Sequence, residues 1–206
     1  MPTSTDYTAW TEIPFRYPTW GENVLWAYAS LQMLGATLGT GEQSFGRRAY
    51  MVRAKAYKAY REGRWQVHDM YRLNMEKMRH ADVCWYCGCR VNARELTADH
   101  VFPRAKGGTD EMENILFVCR SCNSSKGKRD LMEWMFDNNR MPSYRVMEHY
   151  LKEVYFHAVD NALMDFPAND VAMKDLPFKP SSVLLFQHAT FMKACLTALS
   201  DIRPVP

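Results

Sequence analysis

No apolar run in this 206-residue sequence approaches the roughly 18 residues that a membrane-spanning helix requires. The first residues, MPTSTDYTAW, lack the basic head and apolar stretch of a secretory signal. A reducing cytoplasmic setting is therefore the expectation, and there six cysteines point to metal binding more than to disulfides. No internal repeat or low-complexity tract is present, which excludes solenoids and compositional linkers. Excess charge of one sign is also lacking: 26 basic against 23 acidic side chains leave a net charge of +3. What is there suits a soluble globular protein, with 47% hydrophobic and 24% charged residues. The length allows one domain with a good core, or one small domain with extensions.

The small net charge hides an uneven distribution. Residues 47–64 carry Arg47, Arg48, Arg53, Lys55, Lys58, Arg61 and Arg64 against a single acid, Glu62. Residues 131–206 carry seven basic and nine acidic side chains. A local basic stretch points to a polyanionic partner; the alternative is a solvated helix face. Apolar spacing predicts helices over 22–38, 44–61 and 65–79, a short helix over 130–138 capped by Asp130, and a longer one from Pro142 and Ser143 to Met164. Pro167, Pro177 and Pro180 make 166–180 a loop, and Ser181 or Ser182 caps a last helix to Leu199. Residues 1–21, with three prolines among aromatics, read as irregular but packed.

The middle of the chain differs. Residues 95–99 and 114–118 are short strand-like runs joined by a polar loop, and a helix starts at Arg120. Two Cys-x2-Cys knuckles, Cys84/Cys87 and Cys119/Cys122, flank this hairpin. Structural zinc takes four such ligands in a tetrahedron, and each knuckle supplies two at the right bite. Gly88 suits the tight turn after the first. A redox pair would need one knuckle beside a βαβ pattern, which is lacking. Cys89 is a spare, Cys195 a buried thiol, and His80 the alternative fourth ligand. The zinc would tie the segment before a hairpin that cannot stabilise itself to the helix after it.

The motifs CWYCG, ADHVFPRAKGG, the Asn of ENILFVC, and CRSCNSSKG occur in that order. Here the sequence resembles the His-Asn-His (HNH) endonucleases, a branch of the ββα-metal nucleases, over about residues 84–130. The resemblance implies that Asp99 is the acidic ligand of a catalytic divalent metal and His100 the general base. Asn114 would brace the loop and orient the histidine, and Asn123, where many members have His, would be the second metal ligand. An oxygen-only set of Asp99 and Asn123 favours Mg2+ or Mn2+ over zinc. Phosphodiester hydrolysis needs an activated water and neutralised charge on the phosphate, and the ordinary pKa of histidine, near ~6.5, suits the base. Adjacent strand residues point to opposite faces, so Asp99 and His100 can serve one phosphate only if the strand ends or distorts there. Asn123 near a helix N-terminus also favours phosphate.

Arg104, Lys106, Lys126, Lys128 and Arg129 are the expected phosphate contacts, with Arg104 and Lys126 at positions commonly basic in the family. The bland alternatives are a solvated basic loop, and a cluster that merely caps turns around the zinc hairpin.

The expected fold is α+β and mostly helical: an HNH core at 81–130 with structural zinc, an N-terminal helical extension at 1–80 and a C-terminal one at 131–206. The expected function is metal-dependent hydrolysis of DNA in the cytoplasm of a bacterium or for a phage. Two alternatives are carried. One is a nuclease subunit of a bacterial antiviral defence complex, docking on an ATPase or on its own copies through Trp20, Trp26, Trp65 and Phe191. The other is a non-catalytic zinc module that binds nucleic acid.

Overall fold

The computed structural model describes residues 13–67, 82–171 and 173–200. The helix expected over 65–79, most of the N-terminal aromatic segment and the candidate ligand His80 lie outside them. The fold is mostly helical with one small two-stranded sheet, as the α+β reading requires. No single helix among the described residues is long and apolar enough to cross a membrane.

The chain divides into two compact units, each discontinuous in sequence. One draws on Met1–Gln66, Val154–Lys174 and Pro180–Pro206, the other on Val67–Glu153 and Asp175–Lys179. The expected segments were contiguous.

In the first unit, helix α1 spans Trp20–Gly39. It begins two residues before the expected start because Thr19 caps it. The Thr19 hydroxyl accepts from the Glu22 amide at 3.3 Å and donates to the Glu22 carboxylate at 3.2 Å, a reciprocal capping arrangement. A Cβ on Gly21 would lie 2.4 Å from the Met164 carbonyl oxygen, so only glycine admits that approach. Helix α2, Arg47–Arg61, buries Ala49, Ala56 and Ala59. These small residues let tyrosines fill the seam with α1: Tyr60 meets Tyr28 edge-on at 5.5 Å, and Tyr57 meets Trp26 at 5.2 Å.

The second unit holds the hairpin. Strand β1, Leu96–His100, pairs antiparallel with β2, Ile115–Cys119, in a register setting Asp99 opposite Leu116 and His100 opposite Ile115. Both strands lie one residue beyond the expected runs. Helix α3, Arg120–Lys126, follows directly, and α4, Leu131–Asp137, is capped by Asp130 accepting from the Glu133 amide at 3.0 Å. Helix α5, Tyr144–Asp160, contributes residues to both units. Within the second unit its Tyr150 hydroxyl donates to Asp130 at 2.6 Å and its ring meets Phe102 edge-on at 5.9 Å.

Two expectations in the C-terminal part are corrected. The loop over 166–180 contains a short helix α6, Ala168–Val171. The single last helix is two, α7 (Pro180–Leu184) and α8 (Ala189–Ser200), with a bend of 80° between the helical stretches that meet at His188. Phe186 and Phe191, five residues apart, would point about 140° apart on a straight helix. The extended backbone at His188 lets both be buried in edge-on contact at 5.5 Å.

Candidate metal and catalytic site

The knuckle sequence Cys84-Trp-Tyr-Cys87 turns tightly because Gly88 takes a positive φ of 69°, and its amide donates to the Cys84 carbonyl at 2.8 Å. The second knuckle joins the end of β2 to α3. Pairing of β1 with β2 therefore fixes where Cys119 and Cys122 stand. The sulfurs of Cys84, Cys87, Cys119 and Cys122 all lie within 4.8 Å of one another. Four thiolates around zinc with bonds of about 2.3 Å stand about 3.8 Å apart, and Cys87 and Cys119 stand 4.0 Å apart. The donor set and spacing fit a tetrahedral zinc. Cys89 Sγ, 3.2 Å from Cys87 Sγ, is exposed and outside this mutually adjacent set, while Cys195 is buried in α8.

Sequence reading missed Arg140. Its guanidinium donates to Cys122 Sγ at 3.1 Å while lying over the Trp134 ring at 5.5 Å. A four-thiolate zinc carries net negative charge, and this cation offsets part of it. The distance of 18 residues from Cys122 gives no motif by which to find it.

Asp99, His100, Asn114 and Asn123 gather around the end of the hairpin, each in a different environment. Asp99 faces inward and is 6% exposed. Its Oδ2 accepts from the Tyr86 hydroxyl at 2.6 Å and lies 2.9 Å from Lys126 Nζ. Tyr86 belongs to the first zinc knuckle, so the cysteine cluster reaches this carboxylate through one hydrogen bond. Burial, with Asp99 alongside, holds the Tyr86 phenol well above its ordinary pKa and keeps it a neutral donor.

Lys126 departs from its expected role as a phosphate contact. Its side chain is fully buried, and Nζ also donates to the His100 carbonyl at 2.6 Å. Burial pulls its pKa down and the Asp99 carboxylate opposes that. It is an internal counter-charge tying the last turn of α3 to the end of β1. Arg104, Lys106, Lys128 and Arg129 are exposed, as phosphate contacts must be. Arg104 Nε lies 3.3 Å from Asp110, and Arg129 donates to the Ser125 carbonyl at 2.6 Å.

His100 is the last residue of β1 and half-buried. Its Nε2 lies 2.8 Å from Asp110 Oδ1, a partner in the polar loop that the sequence reading did not single out. A carboxylate there selects the tautomer with the proton on Nε2, leaving Nδ1 as the proton acceptor. The chain then turns away under the control of Asn114, which is fully buried. Its side-chain oxygen accepts from the Phe102 amide at 2.7 Å, and its Nδ2 donates to the carbonyls of Phe102 at 3.0 Å and Thr109 at 2.8 Å. A Cβ on Gly108 would lie 1.8 Å from the Phe102 carbonyl oxygen, so the glycine of the loop is there for close backbone approach.

Asn123 sits in α3 with Nδ2 donating to Thr97 Oγ1 at 3.0 Å and to the Ala98 carbonyl at 3.3 Å. Its Oδ1 has no protein partner among the described residues. Asp99 and Asn123 each carry an oxygen of the hard type that a small divalent cation takes. Among the other described histidines, His149 of α5 lies with Nδ1 3.4 Å from the Glu113 carbonyl, one residue before Asn114. Burial pushes His149 down to about 4, so it is a neutral core residue near pH 7.

Residues 84–131 match the family model described as HNH endonuclease. Over 78 residues the chain is 33% identical to the CRISPR-associated endonuclease Cas9 of Corynebacterium diphtheriae, covering 37% of this chain and 6% of that protein. The chain thus corresponds to a small part of that relative's length. No solved structure matches. The match to the HNH endonuclease model is confined to the segment from Cys84 to Leu131, which holds the four clustered cysteines and the hairpin.

Proposed function

We propose that this protein is a metal-dependent endonuclease hydrolysing DNA phosphodiester bonds. In this reading His100 is the general base, Asp99 and Asn123 hold a catalytic Mg2+ or Mn2+, and the four cysteines hold a structural zinc. The observation that carries the reading is the His100–Asp110 contact of 2.8 Å at the end of β1, next to Asp99. It orients an imidazole with one nitrogen fixed and the other open to take a proton from water.

Bound divalent metal supplies neutralisation of the charge that develops on the phosphate and the leaving oxygen. The remaining work belongs to side chains. Tyr86 and Lys126 saturate Asp99 Oδ2 and leave Oδ1 as the ligand atom. Asn114 fixes the loop that carries Asp110, and Asp110 in turn holds the His100 ring. Arg104, Lys106, Lys128 and Arg129 bind phosphate from the exposed side. A bacterial setting is supported by the relative's origin.

The test is incubation of purified protein with supercoiled plasmid plus Mg2+ or Mn2+, with a metal-free control and the His100→Ala variant. Metal-stimulated cleavage is expected from the wild type, with cleavage lost and DNA binding kept in His100→Ala. A wild type that binds DNA but never cuts it with either metal would sink the enzyme reading and leave a zinc-containing binding module.

A further inference from the structure

Helix α2 breaks local rules in a consistent direction. Arg47 and Arg48 occupy its first turn, where the positive end of the helix dipole disfavours cations. No acidic residue stands there and Gly46 supplies no side-chain cap. Lys55, Lys58 and Arg61 continue the exposed face. The nearest acids are Glu42, 3.8 Å from Arg48, and Glu62, 3.8 Å from Lys58, exposed pairs of little energetic weight.

A second observation lies at the flank. The guanidinium of Arg53 sits 4.6 Å from the centre of the Trp26 ring, and that of Arg16 sits 4.5 Å from the same ring. Arg53 also lies over Tyr50 at 5.2 Å. No carboxylate pairs with either arginine among the described residues. Burial first, and Arg16 second, lower the Arg53 pKa. Two like charges on one indole are a configuration that an anion relieves. Arginine stacked on aromatics with its planar fork free is also suited to gripping phosphate in two-pronged fashion.

We propose that the exposed face of α2, together with Arg16, binds the phosphate backbone of duplex DNA. This rests on the nuclease reading for the identity of the polyanion. The helix is about 21 Å long from its first residue to its last, enough to meet several phosphates. Its exposed face carries the small Ala54 between the cations. An exposed α-helix fits the wide major groove of B-form DNA and not the narrow one of A-form RNA.

Binding to a short fluorescent DNA duplex, by anisotropy across a range of salt, tests the proposal. All proteins carry His100→Ala, so that binding is read without cutting. In that background Arg53→Glu/Lys55→Glu/Lys58→Glu should weaken binding by about tenfold or more and lower the slope of log affinity against log salt by about 2–3. Lys55→Glu/Lys58→Glu leaves the Trp26 stack untouched and should lower the slope by about 2, with thermal unfolding unchanged. Unchanged affinity and slope in this folded double variant would overturn the proposal. So would parent binding that is tighter to an RNA duplex of the same sequence, or to phosphatidylserine vesicles, than to DNA. A wild type that fails to cut plasmid overturns the nuclease reading instead, and leaves the difference in binding standing.

Discussion

At the residue scale, the most informative atom is Asp99 Oδ2. Two donors hold it, one neutral and one charged, and the neutral one comes from the zinc knuckle. Tyr86→Phe removes a hydrogen bond to a charged group, worth about 2 kcal/mol, without opening space. The carboxylate then keeps Lys126 but gains freedom to rotate. We expect Tyr86→Phe to retain its zinc and its fold, while the Mg2+ concentration giving half-maximal cleavage rises several-fold. If metal titrations of cleavage superimpose for the two proteins, Tyr86 positions nothing and its contact is only packing. Asp99, His100, Asn114 and Asn123 could be singled out from the sequence because they stand in an ordered motif, and their hydrogen bonds lie at the hairpin and its loop. Tyr86, Asp110 and Arg140 were illegible because each acts through a contact across the fold, over 13, 10 and 18 residues respectively. Lys126 was misread for a related reason. A lysine in a basic run looks solvated, and only its partners, Asp99 and the His100 carbonyl, show that it is inside.

At the scale of elements, the hairpin is too small to stand by itself, so the helices and the cysteine cluster must hold it. Its strands were legible to within one residue because the polar loop with Pro103, Gly107 and Gly108 separates them. The break between α7 and α8 was not, since the spacing of apolar residues there reads as continuous helix until Phe186 and Phe191 must share one core. The cluster's grip on the hairpin depends on thiolates whose charge needs an offset, and Arg140 is the cation in contact. Arg140→Ala removes a charged hydrogen bond to Cys122 and should speed release of zinc to a chromogenic chelator by about tenfold, the equivalent of about 1.4 kcal/mol. Arg140→Lys should recover part of that loss. Equal release from wild type and both variants would show that the charge on the sulfurs is balanced by solvent. Cys84→Ser or Cys119→Ser should go further, losing zinc and the fold of the hairpin together.

At the scale of the whole molecule, the segment that matches the family is shorter than the unit that houses it. The compact unit around the hairpin takes in residues up to Glu153 and returns for Asp175–Lys179. The reason lies in Asp130, which is 2% exposed. It caps α4 through the Glu133 amide, accepts from the Tyr150 hydroxyl at 2.6 Å, and accepts from the Lys179 amide at 3.2 Å. Phe102, next to the Asn114 clamp, likewise lies between Tyr150 and Phe178. None of these long-range partners is signalled by local pattern, which is why the sequence suggested a contiguous core ending near residue 130. A fragment of residues 82–140 keeps both knuckles, the hairpin and α4 but loses Tyr150, Phe178 and Lys179. A buried carboxylate stripped of two donors, together with a newly exposed Phe102 ring, should lower stability by about 3 kcal/mol or more. Denaturant unfolding of the zinc-loaded fragment against the full chain, followed through Trp134 and Trp85 fluorescence, measures this. The expected result is an early or absent transition for the fragment. A fragment that unfolds with the same midpoint and slope as the full chain would mean that zinc and the hairpin suffice, and that the C-terminal return of the chain serves something other than support of the nuclease core.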